Sequence, residues 1–482
     1  MEQGTMRFEP TWESLQQYQC PEWFRDAKFG IWAHWGPQAV PEVGDWYARN
    51  MYIQGNSQYE HHVKTYGHPS KVGYKDIVKR WKAERFEPER LMQLYKRAGA
   101  RYFVAMGVHH DNFDCWNSQH HRWNAVKMGP GKDIVGLWSQ AARKHGLRFG
   151  VSEHLERSYC WFNTNKGSDT TGPLAGVAYD GTNPDYADFY FPPHDDAELC
   201  YPKNPPEWWQ TQWLARITDL LDQYQPDLLY TDGGIPFGST GRELVARFYN
   251  RNMQWHAGML EAVYNLKDAR KLVKYGPHGE YREGVGVLDV ERGVVDGISP
   301  EPWQTDTSIG DWYYNRTWQF RPVNWTIHML LDIVSKNGNL LLNIVQRPDG
   351  TLDEEVERML AELADWITVN GEGIYGTRPW RVYGEGPTTP KAGLFAEDDL
   401  QYTSSDFRFT QKDDTVYAYC LAVPEKEMSI QSMGRRSGVQ VKAVELLGSA
   451  EQPVWRQGEE ALEIALPSIM PSRHAIGLKI KK

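Results

Sequence analysis

The chain has 482 residues, 40% of them hydrophobic and 24% charged, with a formal net charge of −10. Such values belong to folded globular proteins and exclude collagen-like, coiled-coil and wholly disordered chains. An acidic chain with no long basic run argues against nucleic acid and anionic membrane as partners. No run of apolar residues is long enough for a membrane span. Cys20, Cys115, Cys160, Cys200 and Cys420 are scattered without a C-x-x-C pair, so neither a zinc framework nor a disulfide scaffold is indicated. The first thirty residues lack an apolar signal core. The expected location is therefore the cytoplasm for the chain as written, and the periplasm or exterior where a leader has been removed. Tryptophan is abundant at 21 residues, an excess that suits a site for the flat apolar faces of sugars.

Eight short, mostly apolar runs recur along the chain, at 29–35, 101–108, 148–153, 227–232, 262–267, 285–291, 303–309 and 339–345. They read as buried parallel strands. Helical patterns lie between several of them. Pro88, Leu91, Leu94, Tyr95 and Ala98 followed by Gly99 give a start-to-stop helix signature. Apolar residues recur at three- and four-residue spacing in 205–225, and 323–337 reads as another helix. Thr351 and Glu354 fit a capping box opening a helix that Asn370-Gly371 closes. Strand alternating with helix predicts an α/β fold, an irregular (β/α)8 TIM-like barrel over residues 1–378. After 378 the pattern changes to short alternating runs at 406–410, 415–421, 439–447, 461–466 and 475–480. These predict an antiparallel β-sandwich over 379–482.

Barrel chemistry sits at the C-terminal ends of strands. Read there, the runs end in His34, His109-His110-Asp111, Glu153-His154, Asp232-Gly233-Gly234 and Glu291-Arg292-Gly293. Asp232 is placed to act as nucleophile or base, its glycines letting a ligand approach; a turn-initiating Asp-Gly is an equal alternative. Adjacent imidazoles such as His109 and His110 point to opposite faces of a regular strand, which argues against shared metal ligation. No metal and no cofactor are expected.

These residues resemble a known family. Phe29-Gly30-Ile31-Trp32-Ala33-His34-Trp35-Gly36, Asp45-Trp46-Tyr47, His109-His110-Asp111-Asn112-Phe113, Asp227-Leu228-Leu229-Tyr230-Thr231-Asp232-Gly233-Gly234 and Asp332 to Asn343 are similar, in order, to motifs of the α-L-fucosidases, family 29 of the retaining glycoside hydrolases. The resemblance covers about 21–378, and Phe407-Arg408-Phe409-Thr410 fits the family's C-terminal β domain. It implies a barrel followed by a sandwich and exo-hydrolysis of terminal α-linked L-fucose by double displacement. Asp232 matches the family nucleophile. His34, Asp45, Trp46, His109, His110 and His154 match sugar-contacting positions. Glu291 resembles the acid/base of one bacterial branch, with Glu283 and Glu301 as competitors. Gln304 stands where many members have Glu and cannot act as an acid. Trp46 and Trp312 are expected to cover the apolar patch of the sugar. The expected partner is a fucosylated oligosaccharide or glycoconjugate, with self-association into a homo-oligomer left open. Alternatives are a related glycosidase for galactose-like sugars, a catalytically inactive sugar-binding protein and a metal-dependent amidohydrolase.

Overall fold

The computed structural model describes residues 7–268, 270–271 and 278–482. Eight parallel strands close into a barrel: β1 (Phe29–Ala33), β2 (Tyr102–Val108), β3 (Arg148–Glu153), β4 (Leu228–Thr231), β5 (Val263–Lys267), β6 (Val287–Asp289), β7 (Trp303–Ser308) and β8 (Gly338–Asn343). Each lies within or next to one of the eight apolar runs. β1 pairs with β2 and with β8, so no edge remains. Nearly every strand residue is buried, because helices or loops cover the outside while side chains fill the inside. Gly30 is one place where the filling dictates the residue. A Cβ there would lie 2.3 Å from the Tyr102 ring, which occupies the interior instead.

Helices Pro88–Arg97, Ile134–Lys144, Glu207–Tyr224, Ser239–Trp255 and Val323–Ser335 connect successive strands, and Glu354–Asn370 follows β8. Among the described residues no helix joins β5 to β6 or β6 to β7, which is the irregularity of the barrel. The capping box expected at Thr351 does not form. Thr351 donates through both its N–H and its hydroxyl to Asp349 Oδ1, at 2.9 and 2.7 Å. The helix therefore starts two residues later with Asp353 as N-cap, and the Asp353 carboxylate is drawn to Arg347 Nε at 2.7 Å. No helix of the described residues is long and apolar enough to cross a membrane.

The C-terminal region forms two antiparallel sheets. The larger has the order β13-β16-β11-β10-β9 and the smaller β12-β15-β14, with β9 at Arg378–Glu385, β10 at Phe407–Lys412, β11 at Thr415–Cys420, β12 at Glu427–Ile430, β13 at Ala443–Leu446, β14 at Val454–Gln457, β15 at Leu462–Ala465 and β16 at Ile476–Lys481. Asp413, at φ 51°, makes the tight turn between β10 and β11. Phe407, Phe409, Ile430, Leu462, Ile476 and Leu478 fill the space between the sheets.

The larger sheet turns its other face to the barrel, where Tyr419 OH donates to the Asn370 carbonyl at 2.7 Å. A buried charge cluster crosses the same seam. Arg408 Nε donates to Asp332 Oδ1 at 2.6 Å, and Lys336 Nζ lies 2.9 Å from Asp332 Oδ2, all three side chains being 2% exposed. Asp332→Ala would leave two buried cations without their shared counter-charge. It is expected to cost about 3–5 kcal/mol, read as an earlier midpoint in urea denaturation. An unchanged midpoint would refute this account of the seam.

Candidate active site

One cavity of about 210 Å³ opens at the C-terminal ends of the barrel strands. It is smaller than the ~300–1,000 Å³ typical of sites for drug-sized ligands and suits a single sugar ring. His34, Asp45, Trp46, His109, His110, His154, Asp232, Glu291 and Trp312 all line it. The competitors of Glu291 lie elsewhere: Glu283 and Glu301 are exposed residues preceding β6 and β7, away from the strand ends that form the cavity mouth. Gln304 is fully buried inside the barrel, accepting from Tyr102 OH at 2.9 Å and donating to Asp289 at 2.9 Å.

Asp232 follows β4 directly. Lys267 Nζ, from the last residue of β5, donates to its Oδ1 at 2.6 Å, and Arg157 NH2 lies 3.0 Å from its Oδ2. Burial alone would raise the Asp232 pKa. The charges of Arg157 and Lys267, aided by the contact to His154, outweigh burial and hold the carboxyl well below the usual range. The Lys267 ammonium also bonds Glu291 Oε2. One ammonium shared by two carboxyl groups keeps their nearest oxygens within two hydrogen-bond lengths, about 6 Å. Glu291 itself is pushed up to about 7, first by burial and then by the charges of Asp306 and Asp232, against the opposing pull of Lys267. Of this pair, Asp232 is the ionised carboxylate and Glu291 the carboxyl that keeps its proton up to about pH 7.

The second glycine after Asp232 also meets a packing demand within the fold. Gly234 N–H donates to the His278 carbonyl at 2.6 Å, and a Cβ on Gly234 would lie 2.5 Å from the Glu280 carbonyl. At Gly234 the close approach is to the 278–280 backbone.

His109 and His110 both turn into the cavity, with ring centroids 4.3 Å apart. Opposite-face geometry does not apply, because β2 ends at Val108. The two rings present different atoms. Gln38 Oε1 accepts the Ala48 N–H at 3.1 Å, so its amide nitrogen faces His109 Nδ1 at 2.8 Å and leaves the proton on His109 Nε2. His110 Nδ1 donates to the His154 carbonyl at 2.7 Å, which leaves Nε2 as an acceptor 3.5 Å from Asp232 Oδ2. Burial pushes His110 down to about 3, so it is neutral. One imidazole therefore offers a donor and its neighbour an acceptor, a pairing that recognises hydroxyl groups.

Asp311 ties together the loops carrying the two indoles. Its carboxylate accepts from the N–H groups of Trp312 at 2.8 Å and Asp45 at 3.4 Å, and Asp45 in turn accepts from the N–H of Trp46 at 2.7 Å. Trp46 is held at φ 64°, a left-handed conformation unusual for a bulky side chain. Trp312 lies between His34, with centroids 5.4 Å apart, and the Arg292 guanidinium, 4.7 Å above its ring.

Two groups of ligand-capable side chains converge here, His34 with His109 and His154, and His110 with His154 and Asp232. Both Asp232 oxygens already face cations, and one nitrogen each of His109 and His110 is engaged by protein. This donor set suits neutral hydroxyls better than a metal dication.

The sequence reading passed over Arg157, Lys267, His278, Asp306 and Phe395, which also line the cavity. Lys267 was accessible to the rule that exposed the others, since it is the polar residue closing the fifth apolar run. Arg157 lies three residues past a strand-end histidine. His278 and Phe395 sit in loops far from any run, and no sequence signal marks them.

A barrel mouth that sets two carboxyl groups of opposite protonation across a one-ring pocket walled by indole and imidazole is that of a glycoside hydrolase. Comparison with known proteins narrows the class. The family model described as alpha-L-fucosidase matches residues 1–372, and that of the alpha-L-fucosidase C-terminal domain matches 397–481. Tissue alpha-L-fucosidase of Homo sapiens is 28% identical over 98% of this chain and 90% of its own, and plasma alpha-L-fucosidase of Homo sapiens is 28% identical over 96% and 89%. The crystal structure of Thermotoga maritima alpha-fucosidase in complex with a mechanism-based inhibitor superimposes with a TM-score of 0.77 at 25% identity, covering 99% of this chain and 100% of that one. The chain belongs to the α-L-fucosidase family.

Proposed function

We propose that the protein removes terminal α-linked L-fucose from fucosylated oligosaccharides or glycoconjugates, with retention of configuration. Residues 1–378 act as the catalytic domain and 379–482 as a supporting sandwich. Asp232, ionised, attacks the anomeric carbon and forms a glycosyl ester as the bond to the leaving oxygen breaks. Glu291 gives its proton to that oxygen. In the second step the Glu291 carboxylate takes a proton from water, the water oxygen attacks the same carbon, and the Asp232 carboxylate departs. His109 Nε2–H and His110 Nε2 bond sugar hydroxyls, and Trp46 and Trp312 cover the apolar patch that includes the C6 methyl.

The observation carrying this reading is the single Lys267 ammonium bonded to both carboxyl groups. It keeps their nearest oxygens within about 6 Å, which favours the ~5–5.5 Å spacing of double displacement over the ~6.5–9.5 Å an inverting enzyme needs to admit water between acid and base. The test is turnover of a panel of aryl glycosides, with NMR of the first-formed sugar. The expected result is hydrolysis of the α-L-fucoside and release of α-L-fucose ahead of mutarotation. Release of the β anomer would overturn retention, and preference for an α-D-galactoside would overturn the substrate.

A further inference from the structure

The segment joining β9 to β10 leaves the sandwich and crosses the mouth of the barrel. Three backbone hydrogen bonds fasten it beside Glu291: Gly393 N–H to the Val294 carbonyl at 2.9 Å, Phe395 N–H to the Glu291 carbonyl at 2.9 Å, and Glu397 N–H to the Arg292 carbonyl at 3.1 Å. The seat is close-fitting, since a Cβ on Gly293 would lie 1.8 Å from the Gly393 carbonyl. The Glu397 carboxylate, 6% exposed, lies 3.7 Å from Arg292. Phe395 takes φ 53° and is 46% exposed as a residue, yet it lines the same cavity as Asp232 and Glu291. Every other lining residue comes from the barrel, between Trp32 and Trp312.

We propose that Phe395 is the platform for the leaving-group sugar, the residue to which the fucose is attached, and so helps set which fucosylated glycans are cleaved. The proposal rests on the assignment of Glu291 as acid. That acid must touch the glycosidic oxygen, and an aromatic ring anchored through the Glu291 backbone at the solvent side of a one-ring pocket lies where the chain beyond that oxygen must run. A flat apolar ring there matches the C–H face of a pyranose.

The test compares α-L-fucosyl fluoride, whose leaving group is too small to reach Phe395, with the fucosyl disaccharide that the unsubstituted protein turns over fastest. Phe395→Ala is expected to lower kcat/KM on the disaccharide by about 10-fold, chiefly through KM, and to leave the fluoride within about 2-fold. Phe395→Trp is expected to recover most of the loss. A parallel fall on both substrates would overturn the proposal, because Phe395 would then be positioning the fucose ring; a loss on the disaccharide carried by kcat, with the fall of the pH profile near 7 displaced, would overturn it too, because Phe395 would then be positioning Glu291. So would an unaffected disaccharide. Failure of the unsubstituted protein to hydrolyse the fluoride at all would instead overturn the fucosidase reading on which the proposal stands.

Discussion

Asp232→Ala is expected to reduce kcat/KM on an aryl α-L-fucoside by at least about 10⁴-fold, the scale seen when a covalent nucleophile is removed. No other group can replace it. Among the carboxylates lining the cavity it is the one whose two oxygens face Lys267 and Arg157, and their charges keep it ionised despite burial. The same two cations define the control the experiment needs. Removing Asp232 deprives two buried positive charges of a partner, so a loss of activity must be separated from a loss of fold. Azide makes that separation chemically. A small anion entering the space left by the carboxylate attacks from the side Asp232 used, and the product is the β-L-fucosyl azide. A variant that is folded and rescued this way has lost its nucleophile alone. Rescue yielding the α azide, or turnover that survives the substitution, would remove Asp232 from the role.

What the sequence disclosed, and what it withheld, follows from how each feature is encoded. The barrel was legible because strands buried on both faces must be written as apolar runs, and the eight runs correspond to the eight strands. The strand ends were legible because polar residues there break those runs; His34, His109, His110, His154, Asp232 and Glu291 were found that way. β9, β12 and β14 were not. β9 is a half-exposed edge strand containing Pro379 and four charged or polar side chains. β12 and β14 are the two edge strands of the smaller sheet, each with two charged or polar side chains among its four residues. The electrostatics were hidden for another reason. Lys267 reads as an ordinary end to an apolar run until the barrel closes and sets β5 beside β4 and β6. Phe395 belongs to the site only because a segment of the C-terminal region pairs with the 291–294 loop, a contact across a hundred residues that no local pattern records.

Glu291→Ala is expected to separate substrates by their leaving groups. A poor leaving group, the sugar of a disaccharide, needs its oxygen protonated as the bond breaks, and losing general acid assistance costs about 10²–10⁴-fold. A 2,4-dinitrophenyl or fluoride leaving group needs no proton, so formation of the glycosyl ester is expected to continue. Its hydrolysis then slows, because no carboxylate remains to activate water. The ester accumulates, seen as a burst of aglycone, and azide relieves it. Here azide takes the place of water on the already inverted ester, so the product is the α-L-fucosyl azide, opposite to that from the Asp232 variant. The pH profile supplies an independent check. Burial, with Asp306 and Asp232 nearby, places Glu291 at about 7. The proton-bearing form is the active one in the first step, so kcat/KM should fall as pH rises through about 7. Asp232, held well below its usual range, stays ionised as pH falls toward the ordinary carboxyl range. In Glu291→Ala, the residual activity on the disaccharide should no longer show the fall near pH 7. If it persists, a different group carries that proton; if the loss is equal for good and poor leaving groups, Glu291 holds the site together without delivering a proton.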